Sequence, residues 1–240
     1  FGSTAATKEF IKKINQIEPD IVHLHNVHGY YLNIKVLFEY LRNTGRHVIW
    51  TFHDCWPFTG HCTHFQQVNC LKWQTECFDC PNIKGYPASW LIDNSRKNYQ
   101  EKRALFTGLN NMVLVSPSEW LARHLQNSFL AEYEVRVINN GIDTSKFRTI
   151  DTKPVREKYQ LTKKYILGVA NTWTTSKGLN DFMKLRSVLN QDTEIVLVGI
   201  AQWRLKALPR GVRGILRTEN IDELAMFYSG AEVFVNPTYV

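Results

Sequence analysis

Lys177 and Gly178 form a pair whose chemistry suits the binding of an anion. They follow the strand pattern Tyr165–Ala170 by one loop and open an apolar helix pattern that includes Leu179 and Phe182. At such a turn, free backbone N–H groups and the positive end of the helix dipole would add to the lysine charge. The pair alone leaves a structural role open, because a surface lysine beside a glycine at a helix start is common.

The five cysteines form a second group, and all of them fall between positions 55 and 80. Four have a spacing that can close a tetrahedral zinc site, and these predicted ligands are Cys62, Cys70, Cys77 and Cys80. Cys55 lies outside this group, and His61 and His64 are alternative ligands. A site of four cysteines has no open position, so a zinc ion there would be structural. Reduced buried thiols and disulfides are the competing interpretations.

Strand patterns alternate with helix patterns along the chain, which predicts an α/β fold with parallel sheets. The predicted strands are Ile21–His25, His47–Phe52, Met112–Val115, Val135–Ile138, Tyr165–Ala170, Glu194–Val198, Val212–Ile215 and Val233–Asn236. The polar stretch after Phe147 predicts a linker, which divides the chain into two Rossmann-like domains, residues 1–147 and 148–240. Residues 55–81 are predicted to be a cysteine-rich insertion in the first domain.

Polar residues follow the predicted strands, at the edge where open α/β sheets bind their ligands. These residues are His25 and Asn26, His53 and Asp54, Ser116 and Ser118, Asn139 to Gly141, and Asn171 to Lys177. We therefore expect them to line a cleft that the two domains share.

The bulk composition describes an ordinary globular protein, with 44% hydrophobic and 21% charged residues. A formal net charge of +7 favours anionic partners, but the basic residues are spread along the chain, which argues against a nucleic-acid-binding face. The basic stretch Arg96–Arg103 is expected to be a solvated helix face, with contact to a membrane surface as the alternative. The chain lacks an initiator Met, and we expect it to be a piece of a longer protein.

Several motifs together resemble a known family. Pro19–His25, Thr51–Asp54 and Ser116–Ser118 resemble the N-terminal domain of the retaining glycosyltransferases of family 4, which have the two-domain GT-B fold. Val137–Asp143, with Phe147, resembles the segment that leads into the nucleotide-sugar domain, and Lys177-Gly178 resembles that domain's phosphate-binding turn. The segment His53–Cys62, continued through Cys80-Pro81, resembles the enzymes of colanic-acid and related exopolysaccharide synthesis.

The resemblance implies two facing Rossmann-like domains, both incomplete here, and a transfer reaction that retains the anomeric configuration. A hexosyl or deoxyhexosyl group would move from a UDP- or GDP-linked donor to a saccharide or polyprenyl-linked acceptor, in surface polysaccharide synthesis. It implies no cofactor for catalysis, no nucleic-acid partner, and a cytoplasmic location with peripheral contact to the inner membrane as an open alternative. The family's Glu-x7-Glu pair would follow Tyr239, so we expect these 240 residues alone to be inert.

The resemblance also implies roles for individual residues. His53 would be the catalytic residue that faces the donor sugar, with satisfaction of buried backbone groups as its structural alternative. The implied donor-binding residues are Lys177, Gly178, Asn171, Gly199, Asn139 and Gly141. Asn171 stands where the family often has an arginine, so Lys177 would carry more of the charge. The implied acceptor-side residues are His25, Asn26, Asp54 and Ser118.

Two other classes of protein remain as alternatives. A nucleic-acid-binding protein with a zinc ribbon would explain the cysteines and the basic charge. An NAD-dependent oxidoreductase would explain the α/β pattern, but no G-x-G-x-x-G motif follows a predicted strand, and Gly199 stands alone.

Overall fold

The structure is a computed structural model that describes residues 2–29, 31–89 and 92–239. The chain divides into two compact units, Phe1–Asn140 and Gly141–Val240, whereas the sequence placed the boundary after Phe147. Within the described residues, none of the helices combines the length and the apolar character that crossing a membrane requires.

The first unit contains a four-stranded parallel sheet with the strand order β1-β2-β3-β4. Its strands are β1 (Ile21–Leu24), β2 (His47–Thr51), β3 (Met112–Ser116) and β4 (Val135–Val137). Its helices are α1 (Thr4–Ile17), α2 (Ile34–Thr44), α3 (Ser95–Phe106) and α4 (Glu119–Gln126). Leu24 pairs with Trp50 and Trp50 with Leu114, so the carboxyl ends of the first three strands lie along one edge.

Helix α2 shows how the sequence specifies these elements. The Asn33 side chain accepts a hydrogen bond from the Val36 amide at 3.2 Å, and Gly45 ends the helix in the left-handed conformation. The buried face of α2 brings Phe38 against Trp50, with ring centroids 5.2 Å apart, and against Phe106 at 4.5 Å. This aromatic cluster holds the sheet in place beneath the edge where β1 and β2 end.

The second unit contains another four-stranded parallel sheet, with the strand order β7-β6-β5-β8. Its strands are β5 (Lys164–Val169), β6 (Thr193–Val198), β7 (Val212–Ile215) and β8 (Val233–Phe234). Its helices are α5 (Lys153–Lys158), α6 (Leu179–Val188) and α7 (Ile221–Gly230). The strand order runs outward from β5 to β7 and then reverses to place β8 on the other side of β5, a reversal that marks the ligand crevice in open α/β sheets.

The two parallel α/β sheets confirm the predicted fold class. Two details differ from the prediction. Helix α5 forms inside the polar stretch predicted to be a linker, because Val155 is buried there. Lys102, expected on a solvated helix face, is buried, since α3 packs it beneath the cysteine-rich segment.

Candidate active site

Two histidines meet at the carboxyl edge of the first sheet. His25 follows β1 and His53 follows β2, and their Nδ1 and Nε2 atoms lie 2.9 Å apart. One ring must donate its N–H while the other accepts, so the bond requires a neutral imidazole on the accepting side. Both side chains are exposed, and the Trp50 indole donates to the His25 carbonyl at 3.2 Å. The pair therefore presents imidazole nitrogens to solvent, and the hydrogen bond from the buried Trp50 side chain helps to hold it in place.

His23 extends this imidazole cluster by one residue. Its ring centroid lies 4.3 Å from that of His25, and its Nε2 is 2.8 Å from the Thr51 hydroxyl oxygen. Burial, followed by the charge of nearby His25, lowers the pKa of His23. Both effects favour a neutral His23 beside the pair.

Asp54, predicted for the acceptor side, has both carboxylate oxygens engaged within the chain. One oxygen lies 2.6 Å from His28 Nε2, and the other accepts the Trp56 amide at 2.8 Å. The His28 ring also packs edge-on against Trp56, with centroids 5.1 Å apart. Asp54 therefore anchors the loop that follows His53.

The remaining predicted residues of the first unit are also tied to local structure. Ser118 caps α4, because its hydroxyl accepts the Leu121 amide at 3.2 Å. The Asn139 side chain donates to the Pro117 carbonyl at 3.0 Å, which joins the loops after β3 and β4. The side chain of Asn26 is exposed beside the histidines.

Lys177 lies in a single helical turn, Thr175–Lys177, between β5 and α6, and its side chain is exposed. The backbone amides of this turn differ from the expectation. Those of Lys177 and Leu179 donate to the Thr174 carbonyl, and that of Gly178 donates to Thr175. The backbone amides that the sequence predicted to be free for an anion are therefore bonded within the turn. The Lys177 ammonium remains as the main group that could bind an anion here.

Gly178 and Gly199 allow close backbone approach at the carboxyl edge of the second sheet. Gly178 has φ 74°, and a Cβ there would lie 2.4 Å from Pro237. Gly199, with φ 91°, follows β6, and a Cβ there would clash with the Ala170 carbonyl oxygen. The Gly199 amide donates to Ile215 at 2.8 Å. Both glycines therefore pack the loops together, and the amide of Gly199 is not free for a ligand.

The segment from Asn171 to Lys177 leaves β5 at the point where the strand order of the second sheet reverses. Buried Trp173 anchors it, because its indole N–H donates to the Val198 carbonyl at 2.9 Å. Asn171 and Lys177 are exposed on either side of this anchor, and Gly141, at the start of the unit, is also exposed. Asn171 and Lys177 are thus held at the carboxyl edge of the second sheet by the buried Trp173.

The four predicted metal ligands line one small cavity in the irregular segment after β2. The sulfurs of Cys62 and Cys80 lie 4.0 Å apart, and their hydrogen bond raises the pKa of Cys62 and lowers that of Cys80 to about 7. All five cysteines are free, so the disulfide interpretation has no bonded pair here. Within the residues described, no group of three or more His, Cys, Asp or Glu side chains is arranged to hold a metal ion.

Two structural features near the candidate site were not predicted from the sequence. His28 forms a hydrogen bond with Asp54. The only sequence feature that could have indicated a role for His28 is its place in the loop after β1. Lys102 lies over the Trp56 ring at 3.5 Å and donates to the carbonyls of Trp56 and Thr59, and burial lowers its pKa to about 7. No sequence periodicity marked that lysine as buried.

Comparison with solved structures shows the fold. A sucrose-phosphate synthase from Thermosynechococcus elongatus aligns with a TM-score of 0.65 at 15% identity, over 97% of this chain and 54% of that chain. Anabaena HepE in complex with UDP-glucose aligns with a TM-score of 0.59 at 13% identity, over 96% of this chain and 56% of HepE. HepE in complex with UDP and glucose gives 0.60 at 14% identity, over 95% and 55%. These neighbours have the GT-B architecture that the sequence predicted.

Comparison of sequences shows the family. A colanic acid biosynthesis glycosyl transferase of Escherichia coli K12, WcaC, whose assignment is itself provisional, is 33% identical over 147 residues. That alignment covers 58% of this chain and 35% of WcaC, so the chain spans about a third of this relative and about half of the solved structures. The model of Glycosyltransferase Family 4 matches residues 2–146, which carry the histidine pair. The chain therefore belongs to glycosyltransferase family 4.

Proposed function

We propose that this chain is part of a retaining glycosyltransferase. The enzyme would move a hexosyl or deoxyhexosyl group from a UDP- or GDP-linked donor to a saccharide or polyprenyl-linked acceptor. Membership of family 4 and the relative WcaC support a role in the synthesis of a surface polysaccharide. The HepE complexes with UDP and UDP-glucose support a nucleotide-sugar donor. We place the reaction in the cytoplasm, where peripheral contact with the inner membrane would give access to a lipid-linked acceptor.

The physical task of such an enzyme is to stabilise negative charge on the departing diphosphate. A fixed cation aimed at that charge contributes in the transition state more than in the ground state. Lys177 is exposed at the carboxyl edge of the second sheet, beyond β5, where the strand order reverses. This placement, in a chain of family 4, is the observation that carries the proposal. We propose that Lys177 neutralises the diphosphate and that Asn171 forms a hydrogen bond with the diphosphate.

The histidine pair is assigned to the sugar. His53 would accept or donate a hydrogen bond at a sugar hydroxyl, and His25 would hold the ring of His53 through the 2.9 Å bond between them. The neutral form of nearby His23 reduces charge repulsion within the cluster. Asp54 and Ser118, whose polar atoms are engaged locally, support the loops that follow β2 and β3.

Calorimetric titration of the 240-residue chain with UDP, GDP and NAD tests this proposal. We expect saturable binding of UDP or GDP and no binding of NAD. Saturation by NAD, with neither nucleoside diphosphate bound, would support a dehydrogenase and contradict our assignment. Salt-dependent binding of RNA or DNA in the same assay would instead support a nucleic-acid-binding protein. For an active enzyme, the anomeric configuration of the product, read by NMR, tests retention.

A further inference from the structure

We propose that Cys62, Cys70, Cys77 and Cys80 bind a structural zinc ion in the irregular segment after β2. This site is independent of the proposed sugar transfer. Binding converts four thiols and one Zn²⁺ into a tetrathiolate complex of net charge −2 and releases four protons.

The four thiols surround a cavity with room for one ion. The cavity has a volume of about 20 Å³, comparable to the space that a single water molecule needs. The 4.0 Å between the sulfurs of Cys62 and Cys80 is close to the roughly 3.8 Å that bonds of about 2.3 Å to a tetrahedral zinc ion require. Cys62 and Cys80 therefore stand at a separation suited to zinc, and binding would draw Cys70 and Cys77 toward them.

N–H donors already point at three of the four sulfurs. Cys77 accepts the Gly60 amide at 3.2 Å, Cys62 accepts the Asn82 side-chain amide at 3.9 Å, and Cys80 accepts the Asn82 backbone amide. A Cβ on Gly60 would lie 2.7 Å from Cys77 Cβ, so only glycine allows this approach. Amides directed at sulfur are the outer-shell partners that stabilise thiolates in metal sites.

The buried charge of Lys102 and an unpaired nitrogen of His61 also favour a metal site here. The ammonium of Lys102 interacts with Cys77, Asp54 and Cys62, and its hydrogen bonds go to two neutral carbonyls. Burying a cation is costly, and a tetrathiolate zinc complex would add its negative charge to that of Asp54. His61, which lines the same cavity and is 91% buried, leaves its Nε2 without a hydrogen-bond partner.

The ion would fasten a segment that has little regular structure of its own. Between β2 and α3 the described residues form only short turns of 3-10 helix, at Trp56–Phe58, Gln66–Val68 and Lys72–Gln74. An irregular segment as long as the one between β2 and α3 needs an additional constraint to hold one conformation inside a compact domain. The segment begins directly after His53, so the ion would also help to hold the loop that carries His53.

Elemental analysis of the purified 240-residue chain tests this site. We expect about one zinc ion per chain, and replacement by Co²⁺ should produce the visible absorption and sulfur-to-metal charge transfer of a tetrahedral tetrathiolate site. Less than about a tenth of a zinc ion per chain, with no such cobalt spectrum, would overturn the proposal. A count of five free thiols would then indicate buried thiols, and a lower count would indicate disulfides.

Matched variants locate the ligands. Cys80→Ser should lose the metal, whereas Cys55→Ala, at the buried cysteine outside the cavity, and His61→Ala should each retain it. Loss of metal in His61→Ala with retention in Cys70→Ser would contradict a site of four thiolates. Should Cys80→Ser fail to fold, the cobalt spectrum of the unaltered chain still decides between the outcomes.

Discussion

At the scale of single residues, the candidate site depends on His53 and its bond to His25. His53 lies at the carboxyl end of β2, where Trp50 and Phe52 are buried beneath it. The 2.9 Å bond between the two rings limits the rotation of each imidazole. A group held in this way loses little freedom when it meets a substrate, which is the advantage of preorganisation in catalysis.

Replacing His53 by alanine should lower the kcat of the transfer reaction by about 100-fold, the usual cost of removing one well-placed polar group. We expect the Kd for the nucleotide to remain unchanged. His25→Ala should lower kcat less, by about tenfold, since His25 acts through the position of His53.

The control for this prediction is His47→Ala, an exposed histidine at the opposite end of the same strand. Steady-state kinetics of the three variants, each made in an active form of the enzyme that includes the Glu-x7-Glu pair, would check it. A kcat for His53→Ala within twofold of the His47→Ala value would remove His53 from the reaction.

At the scale of elements, helix α3 supports the cysteine-rich segment through one buried lysine. Lys102→Met removes the hydrogen bonds of 2.8 and 2.9 Å to the carbonyls of Trp56 and Thr59. Because the Thr59 carbonyl would lose this partner while the Trp56 carbonyl would keep only the Thr59 amide, we expect the free energy of unfolding to fall by about 1–3 kcal/mol. Lys97→Met, at an exposed position of the same helix, should change it by less than about 0.5 kcal/mol. Urea denaturation measures both, and equal effects would contradict the role of Lys102.

Glu223, on helix α7, should make the stability of the fold depend on pH. Burial acts to raise the pKa of Glu223, but hydrogen bonds from Lys158, Tyr159 and the Glu219 backbone outweigh burial and lower it below the ordinary 4.5. The carboxylate therefore stabilises the fold above about pH 4.5, and this contribution is lost as the pH falls through the lower folded pKa. Glu223→Gln should flatten the dependence of the unfolding midpoint on pH between 3 and 5 (about two units around the carboxyl pKa). An unchanged acid slope in the variant would rule out this contribution.

The sequence predicts the position of a residue best where a regular element determines it. His25 and His53 could be placed at one edge because parallel strands end together, and Lys177 because a helix pattern follows β5. The bond between Asp54 and His28, and the burial of Lys102, were not predictable. Both depend on the path of the irregular segment after β2, which has no hydrophobic period to follow.

The backbone amides after β5 show a second limit of sequence reasoning. A glycine before an apolar helix predicts free N–H groups, but the turn Thr175–Lys177 closes on Thr174 and uses them. Helix α5 shows the reverse error, because a polar composition concealed the single buried residue Val155. In the first case hydrogen bonds within the turn take up the amides, and in the second tertiary packing overrides the local pattern.

At the scale of the whole molecule, the chain contains two compact units with separate cores. Phe182 lies in the core of the second unit, where its ring packs edge-on against Trp173 with ring centroids 5.3 Å apart. Phe182→Ala should destabilise that unit by about 3–5 kcal/mol. Calorimetric scans should show its transition moved to lower temperature, while chelation of zinc moves only the transition of the first unit. One transition that shifts as a whole in both experiments would show that the units unfold together.

The proposed binding of the donor depends most on the charge of Lys177. Calorimetric titration of Lys177→Ala with the nucleoside diphosphate that binds most tightly should give a Kd at least tenfold higher, about 1.4 kcal/mol of binding free energy. Lys184→Ala, an exposed lysine on helix α6 beside Asp181, keeps the same net charge as that variant and should leave the Kd unchanged. An equal Kd for the two variants would contradict the assignment of the diphosphate to Lys177.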